Sequence, residues 1–135
     1  MTDAVDASLE VFIRAVLGRK AVNVVALDVR ELTSIADVFI ICSGRSSRQV
    51  SAIADHIERE LRKEKIKPLS VEGTSEGQWV LMDYGSVIIH VFFESVREFY
   101  DLEGLWSDAP RITFSAGPKT KVSSGRRPNP HIARD

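Results

Sequence analysis

The sequence predicts an α/β (α+β) fold in which helices pack against a sheet, and three observations carry that prediction. Residues 22–29 (VNVVALDV) and 38–42 (VFIIC) are apolar runs rich in β-branched residues; such runs need cover on both faces, which helices supply. From residue 47 the apolar spacing changes to the 3.6-residue period of a helix. Residues 78–83 and 86–93 then alternate around Tyr84-Gly85, the pattern of a hairpin.

Each element follows in order. Leu9, Phe12, Ile13, Val16 and Leu17 fall at i, i+3, i+4, i+7 and i+8, one stripe of an amphipathic helix. The two apolar runs make the first and second strands, joined by a polar turn. After Ser43-Gly44, Val50, Ile53, Ile57 and Leu61 line one face of a helix over about residues 47–65, and Ser46 with Gln49 has capping-box spacing at its start. Pro68 cannot donate to a ladder, so the extended segment through Val71 belongs at or near a sheet edge. Residues 73–77 form a loop before the hairpin. Val96, Phe99, Tyr100 and Leu102 mark a short helix leading to Trp106. The predicted order is α-β-β-α-β-β-β-α.

A chain of 135 residues is long enough for one domain with a single core. No apolar run approaches the roughly 18 residues of a membrane span, and the acidic start MTDAVD is unlike a basic secretory leader. The lone cysteine, Cys42, excludes an internal disulfide and fits a reducing compartment. A cytoplasmic protein without a membrane partner is expected. The net charge of −1 conceals an asymmetry: residues 111–135 carry six basic groups against Asp135, whereas residues 1–110 carry twelve basic and eighteen acidic groups. The end of the chain is also rich in Pro, Gly and Ser. The reading is one acidic domain over 1–110, followed by a basic, mostly disordered tail over 111–135. That tail is either a solvated end or a peripheral contact to rRNA phosphates.

The hairpin is the densest source of functional signal. With a turn at Tyr84-Gly85, Met82 pairs with Val87, Val80 with Ile89 and Trp79 with His90. One face then carries Val80, Met82, Val87, Ile89, Val91 and Phe93, all apolar and all core. The opposite face carries Trp79, Leu81, Asp83, Ile88, His90, Phe92 and Glu94, an apolar surface with polar intrusions. Large aromatics interleaved with a few charges suit docking better than catalysis.

Chemistry finds little purchase. Ser43-Gly44-Arg45-Ser46-Ser47-Arg48 lies between a buried strand and a helix start. It reads as a turn, an N-cap and two solvated arginines, or as a phosphate contact through Arg45, Ser46 and Arg48; it has neither P-loop nor dinucleotide-fold spacing. Cys42 ends an apolar strand and reads as a small core residue. His56, His90 and His131 have no metal-ligand spacing, so no metal is expected. No predicted strand carries two carboxylates at period two, as two-metal phosphoryl transfer requires.

Several stretches form a recognisable pattern: Ala26-Leu27-Asp28-Val29, Ala36-Asp37-Val38-Phe39-Ile40-Ile41-Cys42-Ser43-Gly44 and Ser46-Ser47-Arg48-Gln49-Val50 in the first half. Glu72-Gly73, Trp79, Asp83-Tyr84-Gly85, Val87-Ile88-Ile89-His90-Val91-Phe92 and Arg97-Glu98-Phe99-Tyr100-Asp101-Leu102-Glu103-Gly104-Leu105-Trp106 follow. Together, over roughly residues 8–107, they closely resemble the ribosomal silencing factor family, also called Iojap-related proteins; the last two blocks are the most specific. The resemblance implies a mixed five-stranded sheet with flanking helices, nucleotidyltransferase-like in shape but without a catalytic site, hence no enzyme and no cofactor. It implies binding to the large ribosomal subunit through its ribosomal protein number fourteen, at the face where the small subunit joins. Obstruction there would repress translation, chiefly when nutrients are scarce. Organellar relatives act in large-subunit assembly, and a homodimer fits the family.

The docking hypothesis places Trp79, Phe92, Tyr100 and Trp106 as anchors, with Trp106 alternatively sealing the last helix onto the sheet. Asp83, His90, Glu94 and Arg97 would set orientation and charge. The alternatives are a nucleotidyltransferase-like enzyme using Ser43-Gly44 and scattered carboxylates, a large-subunit assembly factor, and a dimeric scaffold with no ribosomal role.

Overall fold

The computed structural model describes residues 2–18, 20–115 and 121–123. In chain order the elements are α1 (Thr2–Leu17), β1 (Val22–Asp28), β2 (Val38–Gly44), α2 (Ser47–Lys63), β3 (Ser70–Glu72), β4 (Trp79–Asp83), β5 (Val87–Phe93), α3 (Glu94–Tyr100), α4 (Leu102–Leu105), β6 (Arg111–Ser115) and β7 (Lys121–Ser123). The strands make one mixed sheet in the order β3-β4-β5-β2-β1-β6-β7. Among the described residues only β2 and β5 run parallel; the chain reaches that pairing by crossing over through α2, β3 and β4.

Burial follows the residue pattern. The α1 stripe of Leu9, Phe12, Ile13 and Val16 and the α2 stripe of Val50, Ile53, Ile57 and Leu61 are buried against one sheet face. That face presents Ala26, Val38, Ile40, Cys42, Val80, Met82, Ile89 and Val91. Each aliphatic side chain sealed there contributes about 1.5–3 kcal/mol. Ser46 caps α2: its Oγ accepts the Gln49 N–H at 3.0 Å, while Gln49 Oε1 reaches back to accept the Arg45 N–H. β3 lies at one edge of the sheet, with Pro68 just outside its ladder.

Three expectations are corrected. Among the described residues the sheet has seven strands rather than five, because the chain beyond residue 110 re-enters it: Ala26 pairs with Ile112 and Leu27 with Arg111, and β7 then pairs with β6. Arg111–Ser115, expected in the tail, are thus a strand of this sheet. The charge of Arg111 hid the strand, yet Ile112 is buried, and the Pro/Gly-rich composition starts only at Ala116. The remainder of the expected tail, 116–120 and 124–135, lies outside the described residues. Next, the hairpin register is displaced by two. Trp79 pairs with Phe92, Leu81 with His90 and Met82 with Ile89. Tyr84 N–H donates to the Val87 carbonyl at 2.9 Å, so the two-residue loop is Gly85-Ser86, with Gly85 at φ +89°. A shift of two preserves which side chains share a face, so the face assignment survives. Finally, the single short helix after the hairpin is two segments, broken at Asp101 in a left-handed conformation.

Candidate docking surface

The two sheet faces are unequally covered. α1 and α2, of 16 and 17 residues, blanket one face, whereas α3 and α4, of seven and four residues, overlie the other. Phe93 ends β5 and serves as the N-cap position of α3, so the chain turns from strand to helix without a loop. That abrupt turn lays α3 and α4 beside Leu27, Phe39, Ile41, Ile88 and Phe92, the residues of a second, smaller core.

Over this core stands a ladder of rings running from interior to solvent. Phe92 is fully buried; Trp79 stacks on it at 4.8 Å between centroids, Tyr100 packs on Trp79 at 5.0 Å, and Phe99 meets Tyr100 edge-on at 5.1 Å. Exposure is 49% at Tyr100 and 81% at Phe99, and Leu105 on α4 is 76% exposed. Trp79 is held in place from below: its Nε1–H donates to His90 Nδ1 at 3.2 Å. His90 is 5% exposed, and burial pushes its pKa down to about 4. It is therefore neutral near pH 7, and the bond it accepts assigns its proton to Nε2. Phe39 meets both His90 and Trp106 edge-on at 5.1 Å, extending the aromatic packing toward α4.

The site residues expected from sequence divide accordingly. Trp79 and Tyr100 come together at the surface, with half-buried Trp106 packed on Phe39. Phe92 and His90 lie beneath them as supports and present no surface of their own. Asp83 Oδ1 accepts the Gly85 N–H at 2.8 Å and so braces the hairpin turn. Glu94, half-buried at the start of α3, lies 3.8 Å from Arg45. Arg97 is only 9% exposed and is engaged internally: its guanidinium forks onto both Glu103 oxygens at 3.2 and 2.7 Å, and Nη1 donates to Ser43 Oγ at 2.8 Å. The guanidinium holds the Glu103 carboxyl below the usual carboxylate range. Sequence reasoning missed Phe99 and Leu105 as surface groups, and missed Glu103 as the partner of Arg97.

A cleft of about 710 Å³ borders this face at the carboxyl ends of β2 and β5, lined by Ser43, Glu94, Glu98, Asp101, Glu103 and Arg111 among others. Acidic groups outnumber basic ones around it. The Arg45–Arg48 loop lies at the start of α2, where the Ser46 hydroxyl already serves as the cap and Arg45 and Arg48 are exposed. Cys42 is buried, and desolvation pushes its thiol up to about 12, far from a thiolate nucleophile at neutral pH. Among the described residues no three His, Cys, Asp or Glu side chains are grouped so as to hold a metal ion, and no helix is long and apolar enough to cross a membrane.

The chain resembles known proteins in sequence and in fold. A family model described as ribosomal silencing factor during starvation matches residues 2–134. The chain belongs to the ribosomal silencing factor family. Ribosomal silencing factor RsfS of Halalkalibacterium halodurans is 41% identical over 104 residues, covering 77% of this chain and 89% of that one. A crystal structure of a protein from Chromobacterium violaceum superimposes with a TM-score of 0.71 at 33% identity, covering 87% of this chain and 95% of that one. More distantly, the mouse protein named for mitochondrial assembly of the ribosomal large subunit is 32% identical over 74 residues, covering 53% of this chain and 32% of that one.

Proposed function

We propose that this silencing factor acts by steric occlusion: the aromatic ladder docks on the large ribosomal subunit, at ribosomal protein number fourteen, and the bound protein obstructs joining of the small subunit. The observation that carries the reading is the exposed trio Phe99, Tyr100 and Leu105, in which Tyr100 packs on a hydrogen-bonded Trp79–His90 base. Large apolar groups held in one conformation lose little entropy on binding, which is what a docking anchor requires. Carboxylates at Glu94, Glu98 and Asp101 line the neighbouring cleft. A basic protein surface satisfies both the apolar patch and these carboxylates, whereas bare phosphates would be repelled. No bond is made or broken in this mechanism; translation falls because a subunit interface is occupied. The mouse relative's name favours a second use of the same contact, in assembly of the large subunit.

Co-sedimentation tests the reading. The protein travels with purified large subunits and not with joined ribosomes, whose interface is already filled. Phe99→Ala and Tyr100→Ala remove exposed rings without opening the core, so folding is retained while affinity falls by about 2 kcal/mol or more for a central anchor, roughly thirtyfold. Wild-type affinity in both variants would refute docking through this face.

A further inference from the structure

The docking face is built from two helical pieces too short to hold themselves in place. Helices of seven and four residues are far below the length at which a helix persists alone in water. Between them stands a single residue, Asp101, at φ 47° and ψ 55°. It ends α3, donating its N–H to the Arg97 carbonyl at 2.8 Å, and it starts α4, its Oδ1 accepting the Gly104 N–H at 3.2 Å. Phe99 and Tyr100 lie before this break and Leu105 after it. The relative placement of the exposed trio is therefore set by the angle at Asp101.

One side chain spans the break. Arg97 on α3 grips both oxygens of Glu103 on α4 and, through Nη1, the hydroxyl of Ser43 near the end of β2. A planar guanidinium with a bidentate carboxylate fixes direction as well as distance, which a lysine ammonium does not. Gly104 completes the joint. A Cβ there would collide with the Asp101 carboxylate that forms the cap.

We infer that Arg97, with Glu103 and Ser43, is a positioning device: it touches no partner, and it locks α3 and α4 to the sheet so that Phe99, Tyr100 and Leu105 form one preset platform. The inference rests on the docking reading above and deepens it, converting Arg97 from a contact residue to an internal brace. Without the brace the platform samples several orientations, and apparent affinity drops in proportion to the fraction still competent. The loss then appears in the association rate, because the contacts made after docking are unchanged.

The test measures association and dissociation rates on immobilised large subunits, well below the unfolding transition, for the wild type, Arg97→Lys, Glu103→Gln and Phe99→Ala. Amide hydrogen exchange is followed on the same free proteins. Glu103→Gln keeps the volume and one acceptor, so it remains folded even if Arg97→Lys does not. The expected result is association slowed about tenfold for both brace variants with dissociation unchanged, together with faster exchange over residues 98–106 and undisturbed protection of α2. Phe99→Ala instead dissociates faster. Wild-type association in the brace variants, or exchange unchanged over 98–106, overturns the positioning role while leaving docking intact if Phe99→Ala is still impaired. Faster dissociation of Arg97→Lys with unchanged exchange makes Arg97 a direct contact, which also overturns it. No binding by the wild type defeats the docking reading and the positioning role with it.

Discussion

Protonation of His90 offers a quantitative handle on the base of the ladder. The folded protein holds this imidazole neutral, with its pKa lowered from 6.5 to about 4 by burial. The unfolded chain takes up the proton below about pH 6.5, whereas the folded one resists until about pH 4. The contribution is thus fully present above pH 6.5 and is lost as pH falls toward 4. A shift of that size, at 1.36 kcal/mol per unit, corresponds to about 3 kcal/mol. A local consequence accompanies it: a protonated Nδ1 cannot accept the Trp79 indole N–H, so the 3.2 Å bond breaks and the ladder loses its support. Urea unfolding from about pH 7 to about pH 4, comparing the wild type with His90→Asn, isolates the effect. Asparagine offers Trp79 an acceptor but does not titrate, and subtraction cancels carboxylates such as Glu103, whose Arg97 pairing also fails in acid. The stability difference between the two proteins should shrink by about 3 kcal/mol over that range. A difference that stays constant would show that His90 titrates alike in both states, and the burial of His90 beneath Trp79 would be refuted.

The remaining predictions concern single positions. Gly73 sits at φ +90°, where a Cβ would collide with the Trp79 carbonyl; Gly73→Ala should cost about 2 kcal/mol or more in chemical unfolding and weaken subunit binding by displacing Trp79. Ser46→Ala removes the acceptor for the Gln49 N–H and should cost about 1 kcal/mol without altering subunit binding, because α2 lies on the opposite sheet face. Leu61→Ala empties a fully buried position between α2 and the sheet and should cost about 2–5 kcal/mol, read as a lowered urea midpoint.

Much of the scaffold was legible because burial imposes simple periods. The α2 stripe, its cap at Ser46 and the apolar runs of β1 and β2 follow from spacing alone, and the hairpin faces follow from alternation. The register was harder: Tyr84-Gly85 and Gly85-Ser86 are both plausible loops, and the choice belongs to where Tyr84 and Val87 bond. β6 escaped because a five-residue strand beginning with arginine carries too little apolar signal against a basic tail. At the site, aromatic richness pointed to the correct segment, but a helix of two turns cannot reveal which side faces the sheet. Phe99 is exposed though its sequence marks it only as part of a short helix, and Arg97, expected as a surface contact, is buried. The burial of Arg97 depends on Glu103, which lies six residues after it across a left-handed break. No helical spacing predicts that pairing.

The account stands most directly on subunit joining itself. Light scattering follows small and large subunits as they are mixed after preincubation with the protein. The joined fraction should fall as protein is added and reach its floor at one molecule per large subunit, with Phe99→Ala and Tyr100→Ala needing far higher concentrations. Undiminished joining at saturating protein, or equal potency of those two variants, would contradict it.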